Sequence, residues 1–345
     1  MTFLWIVATI LLVVVLARLM TVVNLASEIT KEDNDDTQIK HNTYNGIGFI
    51  IFMVAGLGLM VYMTLRYSQY MLPEAASEHG PGLDNLLNVN FAIIAIVFFI
   101  TQIVLFWFAH KYRHNHSRRA YFYPENHKLE LIWTVVPAIV LTVLIVTGLK
   151  QWNDILMTEK KGMNMQVYGY QFAFIARYSG EDNTLGKSNF RLINDENALG
   201  LNLDDKATKD DIITTGNEMR LPVGTSINFT FNARDVLHGA YMPHFRAQMN
   251  MVPGMNTHFN FTPTITTAEM RKKLNKPDFD YVLLCNKICG NAHYTMKMKI
   301  VVETPEEFAA WLKTQKKASE IPTANAAEVK VADAASTNVQ PTANL

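Results

Sequence analysis

Residues 91–109 read FAIIAIVFFITQIVLFWFA. No charge interrupts the run, and its hydrophilic side chains are Thr101 and Gln102. A bilayer core is about 30 Å thick and is crossed by roughly 20 apolar residues wound as a helix. Backbone polar groups in lipid must be satisfied within the segment, so a run of this length is a membrane helix. Three further runs lie around it. Residues 131–149 read LIWTVVPAIVLTVLIVTGL and residues 46–65 read GIGFIIFMVAGLGLMVYMTL. Residues 3–26 are broken by Arg18 and Asn24. Four runs in the first 150 residues do not fit the buried helices of a soluble core. Pro137 kinks the fourth helix or marks its first turns, which membrane helices tolerate. The first run has an alternative reading as a signal peptide with cleavage near Ala26. It lacks a basic start and exceeds the usual h-region of roughly 7–15 residues, which favours a retained helix.

The loop between the third and fourth runs, 110–130, carries Lys111, Arg113, Arg118, Arg119 and Lys128. Basic loops stay in the cytoplasm, so everything after Lys150 is expected on the outer face. The loop between the second and third runs holds Glu74, Glu78 and Asp84 with only Arg66, as an outer loop would. Formal net charge over the 345 residues is zero, so no nucleic-acid partner is expected. No internal repeat signals a solenoid or propeller.

Beyond residue 151 the character changes. MNMQVYGYQFAFIARY (163–178) mixes aromatic and aliphatic residues as a strand does. Ile227, Phe229 and Phe231 alternate with polar neighbours, and Phe259 and Phe261 repeat that pattern. DYVLLC (280–285) and MKMKIVVET (296–304) read as two more strands. The expected fold class is membrane α plus all-β: transmembrane helices followed by a β-sandwich or barrel. A polar insertion is expected over about 179–216. Residues 305–317 read as a short helix, and 318–345 as a disordered tail with little to bury. The expected division is 1–86 for two helices and loops, 87–152 for a helix hairpin, and 153–304 for the β domain.

Residues 285–296, CNKICGNAHYTM, hold the only two cysteines of the chain. A disulfide, buried thiols or zinc could each use such a pair. A disulfide alone accounts for neither His293 nor Met296, and methionine is a poor zinc ligand. Thiolate, imidazole and thioether together form the soft donor set that selects copper. A second imidazole has three sources, His238, His244 and, less well placed, His258. Two thiolates with two imidazoles suit two coppers sharing the sulfurs.

DVLHGAYMP (235–243) with CNKICGNAHYTM resembles the dinuclear copper A motif of cytochrome c oxidase subunit II. MVPGM (251–255) matches that family's Pro-Gly turn, and LELIWTVVPAIVL (129–141) resembles its second membrane helix. The resemblance spans roughly residues 91–311, so the first two runs are extra to the usual two-helix form. It implies a cupredoxin domain on the periplasmic face of a bacterial inner membrane. It implies His238 and His293 as terminal ligands, Cys285 and Cys289 as bridging thiolates, and Met296 as weak axial thioether. The main-chain carbonyl of Lys287 would be a further ligand. The family usually has glutamate there, and often aspartate where Asn250 stands; these departures speak against magnesium ligation by this chain. A tryptophan of the family's electron-entry run is replaced here by Phe172, and a second by Phe174. That departure points to a fixed cytochrome c-type donor, such as one tethered in a supercomplex. Glu130 matches a glutamate by the mouth of a proton-uptake channel. Haems would sit only in the catalytic subunit, onto which the helices dock with other oxidase subunits. The implied function is electron entry in a respiratory cytochrome c oxidase. The copper A subunit of a related nitric oxide reductase and a membrane-tethered copper carrier are the alternatives.

Overall fold

The computed structural model describes residues 2–29, 35–157, 161–194, 196–214 and 217–320. The apolar runs are helical and extend further than their hydrophobicity alone marks: α1 (Thr2–Ile29), α2 (Asp35–Tyr67), α3 (Gly80–Lys111) and α4 (His127–Trp152). Helical hydrogen bonding continues past the apolar part into the flanking polar residues. Among the described residues, three helices are long and apolar enough to cross a membrane: Gln38–Tyr70, Gly80–Lys111 and His127–Leu156. The fourth expected span is the shorter apolar stretch Leu11–Ala26 of α1.

The chain separates into two compact units. One comprises Met1–Ser68 and Phe91–Leu131. Within it, Phe106 of α3 packs between Phe49 and Phe52 of α2, with centroids 6.0 and 5.6 Å away. Gly46 stands where α2 meets the end of α3. A Cβ there would lie 3.1 Å from Arg113 Cδ and 3.2 Å from His110 Nδ1.

The other unit, Gln69–Asn90 with Ile132–Leu345, contains the β domain. Its strands are β1 (Met163–Tyr170), β2 (Ala173–Tyr178), β3 (Ile212–Ile213), β4 (Glu218–Pro222), β5 (Ile227–Ala233), β6 (His238–Met242), β7 (Ala247–Met251), β8 (Thr257–Phe261), β9 (Tyr281–Leu284), β10 (Lys297–Glu303) and β11 (Lys316–Lys317). One sheet runs β11-β3-β2-β1-β5-β8 and the other β4-β10-β9-β6-β7. The pairs β1–β5 and β4–β10 are parallel. The strand run expected over 163–178 is a hairpin that turns at Gln171 and Phe172.

Alternation in β5 buries Ile227, Phe229, Phe231 and Ala233, so that face meets the core. Phe229 stacks on Phe261 at 5.0 Å, Phe261 on Phe245 at 4.9 Å, and Phe245 meets Tyr281 at 4.8 Å. This aromatic column joins the two sheets and excludes water from between them. Fully burying side chains of this size contributes roughly 1.5–3 kcal/mol each.

The polar insertion is folded. Leu199 and Leu201 are buried with Tyr168 and Ala318 in a second apolar cluster, backed by Ile175 and Ile213. Asparagine and aspartate side chains close its turns, with Asn189, Asn194 and Asp205 accepting from backbone N–H groups. The buried Arg177 guanidinium binds Asp211 and donates to Gln166 Oε1 and Gly186 O.

The helix expected over 305–317 is shorter: α6 (Pro305–Leu312). Thr304 and Glu307 form its capping box. Lys316 and Lys317 then pair with Ile213 and Ile212 as an edge strand. A second short helix, α5 (Thr267–Leu274), opens with the capping box of Thr266 and Glu269, which the strand-based expectation missed. Of the tail read as disordered, Ala318–Glu320 forms a helical turn with Ala318 buried, and 321–345 lies outside the described residues.

The link from α2 to α3 belongs to the β domain. Ala76 N donates to His244 O at 2.7 Å, Glu78 N to Thr262 O at 3.0 Å, and Thr264 N to Ala76 O at 2.9 Å. This link and the β domain therefore share one side of the membrane.

Candidate metal centre

β6 opens with His238, whose side chain is completely buried. The next residue is glycine for a packing reason. A Cβ on Gly239 would lie 1.9 Å from Asn286 Oδ1 and 3.2 Å from Lys287 Cγ. The cysteine loop thus passes directly over the backbone beside His238. That loop leaves β9 at Cys285 and returns into β10 after Met296. Cys285 N donates to Met296 O at 3.1 Å and closes it. Gly290 holds φ +140°, and a Cβ there would lie 2.9 Å from the Phe172 ring.

The loop brings sulfur and nitrogen together. Cys285 Sγ and Cys289 Sγ are 3.8 Å apart, and both thiols are free. A disulfide requires about 2.05 Å, so this separation is not one. His238 Nδ1 lies 3.9 Å from Cys285 Sγ, and His293 Nδ1 lies 3.6 Å from Cys289 Sγ. Met296 Sδ lies 3.8 Å from Cys289 Sγ. The Cys285 thiol donates to Lys287 O at 3.2 Å, which turns that carbonyl toward the sulfurs. Among the described residues His238, Cys285 and Cys289 form a buried cluster with ligand atoms within 4.8 Å of one another. Such a group fits metal. Sulfurs 3.8 Å apart subtend a near-tetrahedral angle at an ion about 2.3 Å from each.

Burial and the adjacent Cys285 push the Cys289 thiol up to about 11. A cation between the sulfurs would reverse that preference and favour thiolate. The outer nitrogen of His238 is oriented: Nε2 lies 2.8 Å from Asp235 Oδ1. Burial raises the Asp235 pKa, but donation from Gln171 N, His238 and Val236 N outweighs it and holds the carboxylate below its ordinary range. Orientation of a ligating imidazole by a carboxylate fixes its tautomer and raises its basicity. Gln171 links the two halves of the site, since its N–H donates to Asp235 and its side chain donates to Cys289 O. The two links of Gln171 carry no local sequence signal, because the contacts span 64 and 118 residues.

The other sequence candidates lie elsewhere. His244 packs edge-on against Phe279 and Tyr281, at 5.1 and 5.3 Å. Burial and then Arg246 lower its pKa to about 4. His258 on β8 lies 3.4 Å from Thr230 Oγ1. Phe172 is half-buried and touches the cysteine loop at Gly290, whereas Phe174 is buried in the core. Asn250 pairs with Gly239 across β6 and β7 and is exposed. Glu130 stands in the first turn of α4, where Oε1 accepts from Asn126 N at 3.4 Å and Oε2 lies 3.3 Å from His127 Nδ1.

Residues 65–150 match the family described as cytochrome C oxidase subunit II, transmembrane domain. The alternative cytochrome c oxidase subunit 2 of Bradyrhizobium diazoefficiens is 33% identical over 269 residues, covering 77% of this chain and 91% of that protein. The cytochrome c oxidase subunit 2 of Thermostichus vulcanus is 24% identical, covering 70% of this chain and 77% of that one. A crystal structure of the periplasmic domain of subunit II of cytochrome oxidase from Bradyrhizobium japonicum is similar at 20% identity and a TM-score of 0.30. It covers 46% of this chain and 96% of that one.

Proposed function

The chain belongs to the cytochrome c oxidase subunit II family, and from that premise we propose that it is the electron-entry subunit of a respiratory terminal oxidase. The observation that carries this is the pair of free sulfurs 3.8 Å apart, flanked by two imidazoles and a thioether. His238, Cys285, Cys289, His293, Met296 and the Lys287 carbonyl would hold a dinuclear copper A pair. When bound, that pair takes up and gives back one electron, which the two metals share.

The protein's part is rigidity. Backbone closure between Cys285 and Met296 ties together the ends of the loop that carries both sulfurs. Asp235 holds the His238 ring, and Gln171 ties Asp235 to the Cys289 backbone. Burial of His238, both cysteines and Met296 keeps water out, so little solvent reorganises when charge arrives. Phe172, lying against the loop at Gly290, is the contact for a cytochrome c-type donor, which a tether in a supercomplex would keep close. Phe174 is core and supports β2.

Sidedness supports the same role. The basic residues between α3 and α4 keep that loop in the cytoplasm, and the α2–α3 link and the β domain then face outward. Electrons received outside pass to haem in the catalytic partner subunit, where O2 is reduced to water. At the cytoplasmic start of α4, Glu130 serves proton uptake by that partner. Lys287 and Asn250 leave no carboxylate for magnesium at their positions.

Copper content and electron paramagnetic resonance of the purified protein test the centre. Two coppers with a delocalised mixed-valence signal are expected. A Cys285–Cys289 disulfide with no bound metal would overturn the proposal.

A further inference from the structure

Arg246 stands immediately before β7 with φ +51°, in the left-handed region that long side chains seldom adopt. Its own side chain anchors it there. Nε donates to Asp84 Oδ1 at 2.6 Å and Nη2 to Asp84 Oδ2 at 2.9 Å. Nη1 donates to Pro243 O at 2.6 Å, and Nη2 also donates to Pro73 O. The arginine side chain is 9% exposed and the aspartate 22%. A sheltered two-point fork of this kind fixes direction as well as distance.

The fork is the centre of a wider seam. Ser77 Oγ donates to Phe245 O at 2.8 Å, and the Ala76 amide reaches His244 O. Ala76 is fully buried in the main core. On one side of the seam lie the segment 73–79 and the first turns of α3. On the other lies β7, which pairs with β6 so that His238 faces Met251. β6 in turn meets β9 at Leu284, next to Cys285. One residue outside the cluster thus connects the strands that carry its ligands to the start of a membrane helix.

We propose that Arg246 is a positioning residue for electron delivery: its clasp on Asp84 and Pro73 holds the ligand-bearing strands in one stance on the first turns of α3, without contributing to metal binding. This rests on the electron-transfer role above. A site that must reach a partner's haem gains from such a fixed stance, because loss of the clasp would let the strands sample other orientations.

The test compares Arg246→Gly and Asp84→Asn in the full chain, purified with its partner subunits. Glycine adopts the positive φ without cost, so the first variant removes the clasp and keeps the backbone. Copper content and the resonance line shape are expected to stay unchanged. Hydrogen exchange over 73–84 is expected to quicken about tenfold in Arg246→Gly, equivalent to ~1.4 kcal/mol. Reduction of the partner's haem after pulsed reduction of the outer domain is expected to slow several-fold. Asp84→Asn moves both in the same direction by less. Unchanged exchange or unchanged haem reduction in Arg246→Gly would overturn the proposal. So would loss of copper in proportion to the loss of rate, since Arg246 would then support the site itself. A wild-type chain without copper would sink the electron-transfer role and the delivery step with it. The exchange arm would still judge the clasp, so the two failures are distinguishable.

Discussion

Asp235 illustrates what single residues contribute. Three positions before His238, its carboxylate reaches back to the imidazole and also accepts from Gln171 N and Val236 N. Asp235→Ala removes the orienting acceptor and leaves every proposed ligand in place. Copper affinity is expected to fall about 10–100-fold. Competition with a copper chelator measures it. Glu130 is the second case. It accepts from the first amide before its helix, which any helix-start acid would do. Glu130→Ala is expected to slow turnover of the assembled oxidase and shift its pH dependence while copper stays bound; steady-state rates across pH decide it. Legibility at this scale was uneven. The ligand types could be read from 285–296 because their spacing is local. The choice among His238, His244 and His258 followed from resemblance, since the residue chemistry left all three open.

Among the elements, the insertion after β2 holds a buried ion pair. Arg177 and Asp211 are almost completely buried, and each would be an unpaired charge without the other. Asp211→Ala is expected to destabilise the β domain by about 3–5 kcal/mol. Chemical denaturation reads it, with the insertion losing protection first. Composition hid this. The segment reads as polar because its asparagines and aspartates satisfy backbone groups, while Leu199 and Leu201 are too few to show a period. The turn after β6 carries a pH dependence. Burial lowers the His244 pKa to about 4, below the ordinary value near 6.5. Between those values the unfolded chain binds a proton that the folded one refuses. The stability present above about pH 6.5 is therefore lost as pH falls toward 4. His244→Phe is expected to flatten the dependence of melting temperature on pH across that window, as differential scanning at several pH values would reveal.

At the scale of the whole molecule, the β domain incorporates chain from before α3. Ala76 fills its core, and Arg246 closes on Asp84 across 162 residues. A β domain begun at Gly162 lacks both and is expected to melt lower than one supplied with a peptide of residues 69–84. Each kcal/mol lost corresponds to about 2–4 °C at this size. Equal melting temperatures with and without the peptide would contradict that. The sequence by itself determined the membrane helices, the alternating strands and the donor set of the cysteine loop. Each of these is written in neighbours along the chain, as a run length, a period or a spacing. Only the tertiary structure decided that the insertion holds a buried charge pair and that the α2–α3 link is part of the β domain. Those contacts join residues tens to more than a hundred positions apart. No local period records them, because they exist only once the two sheets have closed on a common core.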